Sequence, residues 1–393
     1  MSATPPAKEA RQAAVLETHF LTSIREVAAE AWDACVGDDH PFVRHAFLRA
    51  LEESGSATPE TGWLGQHVLL KDEDGTVRGA APMYLKSHSY GEYVFDHGWA
   101  DGFARAGGRY YPKLQASVPF TPVTGRRFLI GAGEDRQEVG RALLRAAAEA
   151  VEETGASSLH ITFMAQDEWR LAEGAGFLRR TDKQFQWQNR GYDSFEAFLS
   201  DLTSAKRKTL RKERAAVAAE GVHFEWLTGP DIPESAWDDF FVCYQETGSR
   251  KWNQPYLTRE FFSRIGQSMG EQILLVMAKR GGKTVAAALN FFDGETVYGR
   301  NWGAVDYVQF LHFEACYYQA IDFAISKGLA RVEAGAQGDH KLLRGYLPSP
   351  TFSAHYIAHA GLRAAVADYL EHERTAVAAH IEELGELAPF RKG

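Results

Sequence analysis

Apolar residues recur at three- and four-residue spacing through Phe313, Tyr317, Ala320, Ile321, Ala324 and Ile325. That spacing makes one apolar helical face. Gly328 follows where a helix needs a left-handed residue to stop. The stretch before it, around Val297–Gly303, predicts a strand, and the segment Leu329–Gly335 alternates like another. A polar loop containing glycines comes next. Glu333, Gln337, Asp339, His340, Lys341 and Arg344 fall within about one dozen residues there. Acids, bases and an amide gathered at the end of a buried-looking strand predict a site.

The same grammar runs through the rest of the chain. A short helical pattern covers Ile24–Ala34, His40-Pro41 breaks it, and residues 41–55 resume as a helix. Residues 67–86 predict a hairpin around Asp74-Gly75, a dipeptide suited to positive φ. Glu92–Ala100 reads as a third strand, and 101–131, with Pro112, Pro119 and Pro122, as irregular. A strongly periodic helix follows over 137–154 and stops at Gly155. Ser157–Met164 and Arg179–Arg190 complete this half as strands. In the second half, 272–292 predicts a hairpin around Gly281-Gly282, and Glu295–Gly303 a third strand with Trp302 placed as Trp99 is. The helix ending at Gly328 corresponds to the one ending at Gly155. One unit of helix, three antiparallel strands, helix and strand is used twice. The expected organisation is a disordered tail over 1–15, one unit over 16–193 and a second over 194–393. A helix carrying Lys206–Arg214 opens the second unit, with Ser204 as its N-cap and Gly221 as its stop.

Composition narrows the function classes. The 393 residues are enough for two ordinary domains, and the net charge of −9 does not recruit DNA or an acidic membrane in bulk. Cys35, Cys243 and Cys316 are far apart and odd in number, as in a reduced compartment. The first residues lack the apolar core of a secretory signal, and no run approaches the roughly 18 apolar residues of a membrane span. The expected location is the cytoplasm. Nothing in the pattern specifies an oligomer.

The segment Gln137–Phe163, followed by Ala172–Phe177, resembles the acyl-CoA N-acyltransferase (GNAT) superfamily, where a Gly-rich turn opens a helix and a strand follows. The doubled plan with a basic opening helix resembles the Fem-type aminoacyltransferases. Residues 109–125, 204–214, 298–303, 311–321 and 335–346 resemble the signatures of a bacterial family of peptidoglycan biosynthesis or recognition. The resemblance spans about residues 35 to 375. It implies an α/β (α+β) tandem of two GNAT-like units, each a mostly antiparallel, splayed sheet flanked by helices. The implied reaction is N-acyl transfer from acyl-CoA to a small amine or a peptidoglycan precursor, with no tightly bound cofactor and no metal. Aminoacyl-tRNA is the alternative donor, and a non-catalytic ligand-binding protein is the contrasting class.

The resemblance also points to residues. Gln137, Gly140 and Ala142 fit the superfamily's phosphate-loop pattern, although Glu134, Asp135 and Glu138 would repel a pyrophosphate there. Lys341, ahead of Arg344-Gly345, falls where Fem-type enzymes carry a lysine thought to steady developing negative charge. Asp101 resembles an acidic residue of their first repeat. By residue type, Glu333, His312 and His340 are base candidates. On the basic helix Arg207, Arg211 and Arg214 share a face, which suits phosphate. Arg300, Trp302, His340 and Arg344 complete the substrate-binding candidates. Cys316, four residues after His312, fits a nucleophile by type, while its aromatic neighbours predict a buried, inert thiol.

Overall fold

Both hairpins turn at the expected dipeptides. His67–Lys71 and Val77–Ala81 are joined through Gly75 at φ +78°, and Ile273–Arg280 and Lys283–Phe292 through Gly281 and Gly282, both at positive φ. The second turn has two residues and the first has five (72–76), and each places glycine in that backbone region, which glycine enters without steric cost. The computed structural model describes residues 16–37, 40–252, 255–335 and 338–391. The expected tail over 1–15 and Gln337 lie outside the described residues.

Thr296–Ala304 is the third strand of the second half, as its alternation predicts. In the first half the corresponding reading fails. Tyr93 takes φ +60°, which interrupts the strand-like stretch, and His97–Arg105 is a helix carrying Trp99. Trp99 therefore does not match Trp302. The strand beside Met83–Lys86 is instead Lys113–Ala116, inside the stretch read as irregular. The physical reason is a buried charge cluster. Glu92 and Asp96 turn inward onto the Lys113 ammonium, with Nζ donating to Glu92 Oε2 at 2.6 Å and to Asp96 Oδ2. A regular solvent-edged strand would leave those charges unpaired.

Each half has a crossover helix between two parallel strands. Arg136–Glu153 leads into Ser158–Met164, which pairs in parallel with Lys113–Ala116. The helix over 311–327 leads into Arg331–Glu333, which pairs in parallel with Thr296–Ala304. Gly155 and Gly328 stop the two helices at φ +65° and +67°. The basic helix spans Ser204–Ala219, so Thr203, which makes no side-chain cap bond, holds the N-cap position rather than Ser204.

The halves do not close separately. Leu178–Gln188, the last strand of the first half, pairs with Arg331–Glu333 of the second. Leu347–Ile357, the last strand of the second, pairs with Ser158–Met164 of the first. The two exchanged strands also pair with each other, from Leu347↔Gln186 to His355↔Leu178. One eleven-stranded sheet results, with a four-stranded sheet formed by Glu17–Leu21, His67–Lys71, Val77–Ala81 and Leu129–Ile130. The chain's midpoint near residue 193 is thus no boundary in the sheet. A shared aromatic core reinforces the fusion, with Phe42 against Phe291 (5.0 Å between centroids) and Phe47 against Phe261 (5.6 Å). Among the described residues no helix is long and apolar enough to cross a membrane.

Candidate active site

The second half opens where its parallel pair ends. Thr296–Ala304 and Arg331–Glu333 pair only from Thr296↔Arg331 to Tyr298↔Glu333. Beyond that point the first strand runs on and the second leaves the sheet at Ala334. Across Lys283–Phe292 the register shifts as well. Leu289 faces Asn301 and Asn290 faces Gly299, so Arg300 is the extra residue of a β-bulge. A bulge re-aims its side chain and leaves ladder groups unpaired. A cleft of about 760 Å³ fills this wedge. Its walls are Asn290, Arg300, Asn301 and Trp302 from the strands, His312, Cys316 and Tyr317 from the crossover helix, and His340 and Lys341 from the following turn. A strap from the first half, including Tyr90, Tyr93, Phe95 and His97, forms the facing side.

The turn that carries Lys341 is a short 3-10 helix, Asp339–Arg344, bracketed by Gly338 at φ +104° and Gly345 at φ +85°. Lys341 is 2% exposed, and its Nζ donates to the Gly335 carbonyl at 2.9 Å. Burial pulls its pKa down to about 8. The His340 Nε2 lies 3.0 Å from the Tyr317 hydroxyl. Burial, then the Arg344 and Lys341 cations, lower its pKa, so the ring is neutral at pH 7. His312 packs edge-on against Trp302, with centroids 5.2 Å apart. Glu333 is buried one residue before the cleft-lining Ala334 and accepts from Gln186 Nε2 at 3.0 Å. Burial pushes its pKa up to about 7. Arg300 donates from Nη2 to the Phe120 carbonyl at 2.8 Å, which ties the bulge to the first half.

Other candidates stand elsewhere. Arg344 does not line the cleft. Its guanidinium stacks on Phe313 at 3.3 Å and donates to Glu213 Oε1 (2.7 Å) and the His340 carbonyl (2.8 Å), so it anchors the turn. Asp101 is exposed on the 97–105 helix, outside the cleft. Arg207 donates to the Ser200 carbonyl, Arg211 pairs with Glu196, and Arg214 pairs with Glu314 and Asp322. These three arginines are outside the cleft lining too, and acids from other elements pair with two of them, Arg211 and Arg214. At the phosphate-loop position, the Asp135 carboxylate accepts from Gln137 N (2.8 Å) and Glu138 N (3.1 Å). The helix start is already capped by the chain's own anion. Gly140 is there for packing, since a Cβ would meet Leu171 Cδ2 at 2.8 Å.

Sequence reasoning missed the Tyr90–His97 strap, Asn290 and Asn301, and the partnership of Tyr317 with His340. Tyr317 reads as part of the apolar helix face. A π-turn over Glu314–Tyr318 turns it to the cleft instead, and helical periodicity carries no sign of such a turn.

The first half splays in the same way and is filled. Lys113–Ala116 pairs with Ser158–Met164 from Leu114↔Leu159 to Ala116↔Ile161. Past that ladder the segment 117–128 folds back, with Gly125 N donating to the Phe163 carbonyl at 3.0 Å. Arg127, 0% exposed, donates to the carbonyls of Thr162 (2.9 Å) and Val123 (2.6 Å). Glu168 accepts from the backbone N–H groups of Arg127 and Phe128, both at 3.0 Å.

Two crossover units with exchanged last strands, one of them open into a polar wedge, make this a tandem GNAT-fold protein. The chain belongs to the FemAB-like family, described as peptidoglycan biosynthesis/recognition, whose model matches residues 23–392. Among solved structures it is similar to FemX, at 14% identity over 87% of this chain and 98% of that one, with a TM-score of 0.55. It is also similar to the C-terminal domain of a lysylphosphatidylglycerol synthetase candidate from Agrobacterium fabrum, at 12% identity over 89% and 97%, with a TM-score of 0.54. L-PGS from Bacillus licheniformis matches at 11% identity over 90% and 98%, with a TM-score of 0.50. At these identities the likeness is one of fold. No curated protein matches the sequence significantly.

Proposed function

We propose that the protein moves an acyl or aminoacyl group onto an amine in the second-half cleft, with acyl-CoA as donor and a peptidoglycan precursor as acceptor. The observation that carries this reading is Lys341, a nearly buried ammonium in the wall of an open polar wedge. The free edge of Thr296–Ala304 suits an extended, amide-bearing chain laid along it. The amine nitrogen attacks the donor's carbonyl carbon, and the carbonyl oxygen takes up negative charge. Lys341 stabilises that charge, and it does so more strongly in a cleft of low dielectric than it would in water. The neutral His340, held by Tyr317, accepts the proton that the nitrogen loses. The carbon–sulfur bond then breaks, the thiolate departs, and the histidine returns the proton to it.

Aminoacyl-tRNA is the second donor reading. Family membership supports it, as do Lys208 and Lys212, exposed on the basic helix. The self-capped helix at Asp135 counts against a CoA pyrophosphate at that one place, not against a thioester in the cleft. The test pairs acetyl-CoA and a charged tRNA pool, each with a panel of amines that includes a lysine-containing peptidoglycan precursor. Release of free CoA or uncharged tRNA that depends on the amine identifies the donor. If neither donor loses its acyl group faster with the protein than without it, the transfer reading is wrong.

A further inference from the structure

The three cysteines sit in different surroundings. Cys35 and Cys243 are each 1% exposed inside the core, and burial pushes both thiols up to about 11. Such thiols are inert. Cys316 is half-buried and forms part of the cleft wall. It lies four residues after His312, on the same helix face, and the π-turn over Glu314–Tyr318 adds Tyr317 to that wall. In an unbroken α-helix a residue five positions on lies about 140° round the axis, so His312 and Tyr317 could not share a wall. The wider π-turn lets His312, Cys316 and Tyr317 all line the cleft, and such turns recur at functional sites because they re-aim side chains.

Lys341 supplies the second element. It lines the same cleft as Cys316, and a thiolate at Cys316 would strengthen the lysine's hold on its proton. Coulomb coupling is mutual, so the same ammonium favours the thiolate. A thiol in the wall of a substrate-sized cleft that Lys341, His312 and His340 also line has the surroundings of a nucleophile that can be activated. This goes beyond direct attack of the amine on the donor.

We infer that Cys316 carries the acyl group between donor and acceptor. The inference rests on the transfer reading and splits it into two steps. First the Cys316 thiolate attacks the donor carbonyl, the donor's carbon–sulfur or carbon–oxygen bond breaks, and the leaving thiolate or alkoxide takes a proton from the surrounding acid groups or solvent. The product is a thioester on Cys316. Then the amine attacks that thioester, an amide bond forms, the proton on nitrogen passes to the imidazole, and the Cys316 thiolate is regenerated. No oxidant or other co-reactant is needed, and Lys341 holds the oxyanion in both steps.

The test is intact-protein and peptide mass spectrometry of the whole chain after exposure, without any amine, to acetyl-CoA and separately to p-nitrophenyl acetate. The expected result is one acetyl group on the peptide carrying Cys316, none on Cys35 or Cys243, and its loss when an amine is added. Cys316→Ser should abolish the thioester, and Cys316→Ala should slow amine-dependent turnover by about a hundredfold or more. Iodoacetamide should label Cys316 ahead of the other two cysteines, and about tenfold more slowly at neutral pH in Lys341→Met, which removes the cation that favours the thiolate. p-Nitrophenyl acetate needs no recognition of CoA or tRNA. Acetylation by it, with both natural donor classes inactive, leaves the carrier role standing and removes the donor reading. Turnover retained in Cys316→Ala, or no acetyl-cysteine with either reagent, overturns the carrier role. In the first of these cases direct transfer remains.

Discussion

The two wedges of this molecule start from the same geometry and end differently. In each half a parallel pair holds for three residues and then splays. In the first half the chain after Ala116 folds back, and Arg127, Gln115 and Thr162 close the gap with internal hydrogen bonds. In the second half the strand runs straight on past its partner, and a bulge at Arg300 turns that side chain toward Phe120 rather than into a plug. The splay supplies an opening, and the segment that follows decides whether it becomes core or cleft. In the filled wedge the Arg127 guanidinium, the Glu168 carboxylate and the Gln115 amide nitrogen are bonded to the chain's own groups. The open one presents Asn290, Asn301, His340 and Lys341 to a ligand.

The largest expected effect that sharpens this contrast is at Lys341. Lys341→Met keeps the stem volume, and it should cut turnover by about 10²–10³ with little change in KM, the pattern of an interaction made in the transition state. Steady-state kinetics beside a thermal melt would show it. Full turnover per folded molecule would move the chemistry out of this wedge.

Arg127→Met tests the filled wedge. It strands the Thr162 and Val123 carbonyls in a dry interior and should destabilise the fold by about 2–4 kcal/mol. Urea titration would measure it. Turnover per folded molecule should hold, and a selective loss of activity would mean that the first wedge takes part in catalysis.

A pH effect of intermediate size follows from Lys341. Its pKa is about 8 in the folded chain against an ordinary 10.5, so the ammonium, and the turnover that needs it, fades as pH rises through about 8. Stability moves the other way. Between those two values the unfolded chain binds more protons at this group, so its contribution rises with pH. Lys341→Met should flatten both profiles, and a pH–rate curve with no descending limb near 8 would refute the assignment.

The smallest effect is expected on the basic helix. Arg207→Ala with Arg211→Ala should leave acyl-CoA affinity within about twofold by calorimetry, because these side chains are engaged with Ser200 and Glu196 on an exposed face. A clear, salt-sensitive loss of affinity for tRNA in the same variant would favour the second donor.

Much of the architecture was legible in the chain. The two hairpins and the two crossover helices with their glycine stops follow from spacing, and so does the doubled plan except for the third strand of the first half, where a helix carries Trp99. Periodicity and turn chemistry depend on neighbours a few residues away, and those neighbours are written in the sequence. Lys341, His340, His312, Arg300 and Trp302 were legible as residue types near a strand end, and the structure gathers them around one cleft. Asp101, Arg207, Arg211 and Arg344 were equally legible as types, and they stand on other surfaces or in other bonds.

What separates the two groups is distance along the chain. Arg344 meets Glu213 across 131 residues, and Arg214 meets Glu314 across 100. No local pattern announces such a pair, so a cation that looks available in sequence is neutralised in space. The exchange of last strands has the same origin. Leu178–Gln188 alternates as a strand in any fold, but its partners Arg331–Glu333 and Leu347–Ile357 lie more than 140 residues away in the chain, beyond the reach of any local pattern. Local chemistry along the chain settled where strands, helices and turns form. Which wedge stays open, and which charges face it, was settled by packing, because burial and electrostatic pairing depend on everything that surrounds a group and not on its place in the chain.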